Sequence, residues 1–515
     1  MRCLVALLLL LPHLTAGQQT PPPPAATPRW VDVTKTALGT TAGWTNKVEI
    51  ADINGDGRPD LLFANGGNYS EPGTPELNGA FVNNGDMKFE DRSTDVFGST
   101  PDLARVIKAR DVNADGLMDI LVGTTYQTQS RLYFGTGKGA FREVTATNLP
   151  VGLNSVGDLE FGDVDDDGDL DVVVADWGPG HNMTNEGGRT RLWLNDGTGH
   201  FTDATASRMP PPLIRFSWDL ELSDIDNDYD LDVLVSCKRC GNSTMFRNDG
   251  RGTFVEDARA LPVYTNNYEF EPMDLNGDGF LDLVTINDGD IVGENGSSRR
   301  EHVFRNDGKG RFRDATTAWW PAVHNVGEDD NMVAFLDADA DGDADFVVAS
   351  LSGPDRLLIN DGTGQLSSVL DAFDGEPTPG TLGIALADLD GDGRIDVVQA
   401  QGEHPKATDE RVFAGRGLPR DTAPPSITLV AATDAPRRTI RARIHDRKSP
   451  SLPFEWSRVV VEWTGAGRVR ETPLQWYGEY LWRAAWPADV APTATYRVCA
   501  TDAAGNAACA APATR

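Results

Sequence analysis

Seven times along its 515 residues the chain sets short, oxygen-bearing side chains at positions 1, 3, 5 and 9 of a nine-residue frame. The sets are Asp52, Asn54, Asp56 and Asp60; Asp111, Asn113, Asp115 and Asp119; Asp163, Asp165, Asp167 and Asp171; and Asp224, Asp226, Asp228 and Asp232. Three more follow: Asp274, Asn276, Asp278 and Asp282; Asp337, Asp339, Asp341 and Asp345; and Asp388, Asp390, Asp392 and Asp396. A hard divalent cation needs about six to eight oxygens at about 2.3–2.6 Å, and a tight acidic turn can wrap one. Calcium is the occupant this chemistry predicts, with up to seven ions per chain.

The rest of the frame fits that reading. Position 6 is Gly in six copies and Tyr229 in the fourth, so the fourth loop is expected to be strained or the weakest binder. Position 7 has no preferred side chain, as expected if only its carbonyl serves, and positions 2 and 8 are apolar, which pins each loop to a core. An EF-hand would need Glu at position 12 and flanking helices. Here position 12 is Phe63, Val122, Val174, Val235, Thr285, Val348 or Gln399, within β-branched and apolar runs that read as strands.

The frames start 50 to 63 residues apart, a period that suits a four-stranded propeller blade. A second element recurs after each loop, as in Leu192-Trp193-Leu194-Asn195-Asp196-Gly197-Thr198-Gly199-His200-Phe201, where Asn-Asp-Gly between apolar runs signals a hairpin. Each unit is then strand, acidic loop, strand, connection, strand, Asn-Asp-Gly turn, strand. The seventh unit lacks its fourth strand, and Trp30-Val31-Asp32-Val33-Thr34 matches the missing one. Seven blades closed by the N-terminal strand follow, which hides two sheet edges.

With these motifs in place, residues 30–418 resemble the FG-GAP or VCBS repeats of bacterial exported proteins and of the integrin α-subunit head. Integrin heads carry the acidic motif in only some blades, whereas all seven units have it here. The resemblance implies a calcium-binding seven-bladed propeller used for adhesion or recognition, with its ligand on the face away from the calcium loops. In an up-and-down blade that face holds the 2–3 and 4–1 connections, and the 2–3 connections are long in blades 1, 3 and 5. It gathers Tyr69, Tyr126, Trp177, Tyr264, Trp319 and Trp320, with His181, His302, His324 and His404. Aromatics there can stack on a glycan or anchor a protein; equally, Trp319 and Trp320 can plug the ring or pack beneath a loop.

The chain begins with Arg2, a Leu-rich run from Leu4 to Leu11 and small residues at Ala16 and Gly17, which reads as a secretory signal over residues 1–17. A Pro-rich linker (18–28), the propeller (29–418), a second linker (419–425) and an Ig-like β-sandwich (426–512) follow. The sandwich rests on strand candidates 426–432, 439–445, 458–463, 469–476, 480–486 and 495–501; the segment from Tyr496 to Asn506 is similar to the last hairpin of bacterial Ig-like modules. An exported protein, secreted or periplasmic, is expected. Four cysteines remain after the signal and allow three pairings; domain separation favours Cys237 with Cys240 and Cys499 with Cys509, although Cys237 and Cys240 could be a redox pair.

With 46 basic and 78 acidic residues the net charge is −32, which disfavours nucleic acid as a partner. No nucleophile elbow, zinc-protease helix or phosphate loop is present. A recognition or adhesion protein for a glycan or a cell-surface or matrix protein is the expected function. The alternatives are a polysaccharide-active lyase or hydrolase using His181, His302 or His404, and a purely structural envelope component.

Overall fold

The computed structural model describes residues 28–513, apart from 69–70, 181–183, 239, 241, 265, 288–300, 376–379, 403–407, 434–437 and 466–467. The signal segment, most of the first linker, Tyr69, His181 and His404 lie outside the described residues. Alternating apolar positions fold into all-β structure, as the period-2 pattern requires. Between Val31 and Ala414, four-stranded antiparallel sheets succeed one another, seven among the described residues, each built from consecutive strands. The exception is the last, where Val31–Asp32 pairs with Arg411–Ala414 (Val31 opposite Ala414), the N-terminal strand having replaced the missing one. Trp30 anchors this closure: it is fully buried, stacks on Phe373 at 4.8 Å between ring centres and donates from Nε1 to the Ile395 carbonyl at 2.9 Å.

The first strands of the sheets, Thr45–Ala51, Ala104–Arg110, Val156–Gly162, Leu220–Ser223, Asn267–Met273, Asp330–Leu336 and Thr381–Ala387, pack each against the next, and the last packs against the first. The result is a propeller of repeated blades around a central channel. The core lies between neighbouring sheets: Ile53 and Leu62 of one pack against Ile107 and Val122 of the next.

Short helical turns follow several fourth strands, at Thr34–Ala37, Ser93–Phe97, Thr145–Asn148, Thr205–Arg208 and Thr316–Trp319. They were not foreseen, although a repeated acidic residue followed two positions on by Thr or Ser, Asp-x-Thr in three of the five, leads into them. The Asp accepts the N–H of the Thr two residues on (Asp203 to Thr205, 2.9 Å), and the Thr hydroxyl accepts an N–H of the third strand (Leu192, 3.0 Å). Four-residue helices are unstable alone, and this double tie to the sheet holds them.

After residue 425 two four-stranded sheets form a separate layered unit, here called the C-terminal unit. One difference from expectation is instructive. The stretch read as a single strand over 469–476 is two strands, Arg468–Pro473 and Gln475–Gly478, belonging to different sheets. Pro473 has no N–H to continue the ladder, so the chain changes sheet there. A further strand, Ala507–Cys509, pairs with Thr495–Asp502 and places Cys499 opposite Cys509. Both pairs, Cys237 with Cys240 and Cys499 with Cys509, are disulfide-bonded.

Candidate metal centres

The seven acidic frames, numbered loops 1 to 7 in chain order, share one hydrogen-bond pattern. In every loop the position-1 Asp accepts the position-5 N–H through Oδ1, at 3.0–3.2 Å. In six it also accepts the position-6 N–H through Oδ2, at 2.8–3.0 Å. The position-5 Asp accepts the position-7 N–H in all seven. The backbone thus curls around the carboxylates, and a carboxylate oxygen that accepts only one N–H keeps a lone pair for a cation.

Position 9 does different work. Asp60, Asp119, Asp171, Asp232, Asp282, Asp345 and Asp396 are all buried. One oxygen of Asp171 accepts the Val164 N–H of its own loop at 3.2 Å, and the other accepts the Asn195 N–H of the third strand at 2.9 Å. Burial, the largest cause, and then the neighbouring carboxylates push the Asp171 carboxyl up to about 9, against opposing hydrogen bonds. The same balance pushes Asp282, Asp345 and Asp396 up to about 8. These are carboxylates whose charge lacks a counterion.

The Asn of the Asn-Asp-Gly turn has a role the hairpin reading missed. Asn195 Nδ2 donates to the Leu170 carbonyl of loop 3 at 3.1 Å and to the Val112 carbonyl of loop 2 at 2.8 Å. Asn83, Asn248, Asn306 and Asn360 repeat this bridge from their own loop to an earlier one in the ring, Asn83 reaching loop 7. Each Asn therefore staples two blades together. Gly135 and Gly415 stand at that place in blades 2 and 7, where their N–H still reaches Asp119 and Asp396.

The loops differ in what faces them. The C-terminal unit covers the loop face, and its Arg441, Arg443 and Arg483 are buried in the contact. Arg483 pairs with Asp163 and Asp166 of loop 3, and Arg441 pairs with Asp166 at 2.7 Å. Arg443 donates to the Asp224 carbonyl and to Asn227 Oδ1 of loop 4, each at 2.7 Å. Tyr477 and Tyr480 add hydroxyl bonds, to the Tyr229 and Pro272 carbonyls at 3.0 Å.

Loop 4 also receives a guanidinium from its own blade. Arg247 Nη1 lies 2.6 Å from Asp226 Oδ2 and 3.4 Å from Asp232 Oδ2, between positions 3 and 9. Tyr229 sits there at φ +73°, a left-handed conformation that favours glycine.

The donor sets suit a hard cation. In loops 3, 4, 6 and 7, three carboxylates each bring an oxygen within 4.8 Å of the others, and Asp165 Oδ1, Asp226 Oδ1 and Asp282 Oδ2 are buried without a hydrogen-bond partner.

On the opposite face the aromatic platform is not found among the described residues. Trp177, Trp319 and Trp320 are buried. Trp177 stacks on Phe216 at 4.4 Å beside Tyr126 and Trp218, and Trp320 Nε1 donates to the His324 carbonyl at 2.9 Å. His302 is buried against Tyr264 and Asn287, and His324 faces Ser368. Stacking on neighbours buries more apolar area than exposure on a loop would, which corrects the placement of these rings as ligand contacts. What the face does expose is aliphatic: Val151, Leu153, Leu213, Val263, Val323 and Val326, all on 4–1 connections.

The channel is lined by charges from alternating positions of the first strands. Lys47 bridges Asp158 (2.9 Å) and Asp219 (3.2 Å), and Lys108 pairs with Glu160. Ser449, Pro450 and Leu452 of the C-terminal unit close its loop-side end, leaving a cavity of about 50 Å³. That has room for water and not for a saccharide.

Four stretches, residues 52–122, 111–174, 224–285 and 337–398, match the FG-GAP-like repeat. No curated protein matches the chain. Three solved structures are similar to it. One is an Agrocybe aegerita lectin described as recognising non-reducing terminal N-acetylglucosamine, at 18% identity and TM-score 0.41 over 65% of this chain and 82% of that one. A second is the extracellular domain of a hybrid two-component system from B. thetaiotaomicron, at 9% identity and TM-score 0.44 over 95% of this chain and 58% of that one. The third is a puromycin hydrolase, at 15% identity and TM-score 0.41 over 83% of this chain and 62% of that one.

Proposed function

We propose that this chain, an FG-GAP repeat β-propeller, is an exported recognition protein whose propeller is stapled by calcium and whose connection face binds an extracellular or cell-surface protein. The observation that carries the reading is the distribution of exposed aliphatic side chains. Val151 is 95% exposed, Val263 81% and Val323 78%, and they come from the 4–1 connections after blades 2, 4 and 5, on the face that the C-terminal unit leaves uncovered. Apolar side chains gathered on one face mark a macromolecular contact more often than chance placement. Aliphatic groups suit a protein partner better than a glycan, which would be held by exposed rings. In this reading the C-terminal unit is an Ig-like sandwich that covers the loop face, and residues 1–17 are the export signal. Among the described residues no helix is long and apolar enough to cross a membrane.

The experiment is binding of the purified chain to an array of extracellular-matrix proteins and glycans, in 1 mM calcium and in chelator. Calcium-dependent capture by protein spots, abolished by Val151→Asp with Val263→Asp, is the expected result. Capture that persists in the double variant would remove this face from the account, and silence on every spot would remove the recognition role.

A further inference from the structure

A cleft of about 640 Å³ lies between loops 1 and 7 and the C-terminal unit. Besides the Asp388 loop, its walls include Asp421 from the linker, Asp446 at the end of the Thr439–His445 strand, and Asp502 at the end of Thr495–Asp502. Asp421 and Asp502 are held by their backbone surroundings. Asp421 donates its N–H to the Gly393 carbonyl at 2.7 Å and accepts the Ala423 N–H at 3.0 Å. Asp502 Oδ1 accepts the Asn506 N–H at 2.8 Å.

Asp502 is 3% exposed, and its second oxygen, Oδ2, has no hydrogen-bond partner. A buried carboxylate oxygen left so is costly unless something absent from the chain satisfies it. Lys448 and Arg447 do not satisfy it. Lys448 is spent on Glu455 at 2.6 Å and on the Pro450 carbonyl at 2.9 Å. Arg447 donates to the Pro424 carbonyl at 2.8 Å and to the Gly342 carbonyl, and reaches Asp446 only at 3.6 Å. Burial first, then Asp421 and Asp502, push the Asp446 carboxyl up to about 8.

We infer that Asp421, Asp446 and Asp502 form a further divalent-cation site at the junction of the propeller and the C-terminal unit, apart from the seven loops. A hard ion such as calcium suits three carboxylates that wall one cleft, and the cleft has room for the waters that would complete its shell. Its ligands come from the linker and from two strand ends, so the ion would lock the C-terminal unit onto the loop face.

The test uses the full chain and two variants, Asp446→Asn and Asp502→Asn; the second keeps an acceptor for the Asn506 N–H. In chelator, removing one charge relieves repulsion, and each variant is expected to melt above the wild type. In 1 mM calcium the order reverses, and equilibrium dialysis counts one ion fewer per chain. A shift of the same sign in both conditions with an unchanged ion count overturns the site. If one variant does not fold, the other decides. A wild-type count of one ion, abolished by Asp446→Asn, would sink the seven-loop reading and leave this one standing.

Discussion

Loops 2 and 4 share a frame and a strand pair, yet they neutralise their charge differently. In loop 2, Asp111 and Asn113 are half-buried and Asp115 is exposed, and among the described residues no ion pair to a basic side chain is seen at any of them. In loop 4, Arg247 stands between Asp226 and Asp232, and Arg443 reaches Asp224 from the C-terminal unit. Loop 2 must take its counterion from solution, and loop 4 carries its own. Tyr229 keeps the left-handed φ of the glycines at this frame position, and its carbonyl accepts from Arg441 and Tyr477, so the loop 4 turn is held by the C-terminal unit. On the proposed calcium reading, the same frame serves as a cation site in loop 2 and as a docking point in loop 4.

Chelation tests this difference with the largest effect. If each loop binds calcium with a dissociation constant of about 0.1 mM, then ~1 mM calcium adds about 1.4 kcal/mol per site, and six sites acting additively add about 8 kcal/mol. A matching drop in unfolding free energy on adding chelator is expected in denaturant titrations. Asp111→Asn with Asp115→Asn should remove about 1.4 kcal/mol of the calcium-dependent part. Asp224→Asn with Asp228→Asn should instead destabilise the chain equally with and without calcium.

The frames were legible because a chemical requirement, four oxygens at fixed offsets, is written directly into residue types and repeats seven times. The third strands and the N-terminal closure followed from the same periodicity. The burial of Trp177, Trp319 and Trp320 was not legible, since an aromatic on a long connection reads alike whether it turns inward or outward. Docking of the C-terminal unit left a trace that went unread. Arg441 and Arg443 alternate along Thr439–His445, and Arg483 is the register partner of Arg441, so three guanidinium groups share one sheet face. A basic stripe on a strand, opposite a chain rich in acidic loops, is the signal for that interface. The Asn staple was visible as a repeated Asn, but its second bond crosses to another blade, and only the assembled ring supplies the acceptor.

Arg247→Met sharpens the comparison at the next scale. It strips the guanidinium from Asp226 and Asp232 and should cost about 3 kcal/mol in chelator, the lower end for breaking a buried pair, because Arg247 is itself partly exposed. Calcium should recover part of the loss, as loop 4 becomes like loop 2; recovery absent from calorimetry would mean that the loop cannot accept an ion at all. The smallest effect belongs to Tyr229→Gly, which relieves the left-handed strain for a gain of about 1 kcal/mol or less, offset by the entropy that glycine adds to the unfolded chain. Its stability in chelator should match or exceed the wild type.

The most direct measurement is a crystal structure of the full chain grown in calcium, with anomalous differences collected to place the ions. The account predicts a strong peak within loop 2 and none at loop 4, where Arg247 remains between Asp226 and Asp232. Peaks of equal height in both loops, with Arg247 displaced, would contradict it.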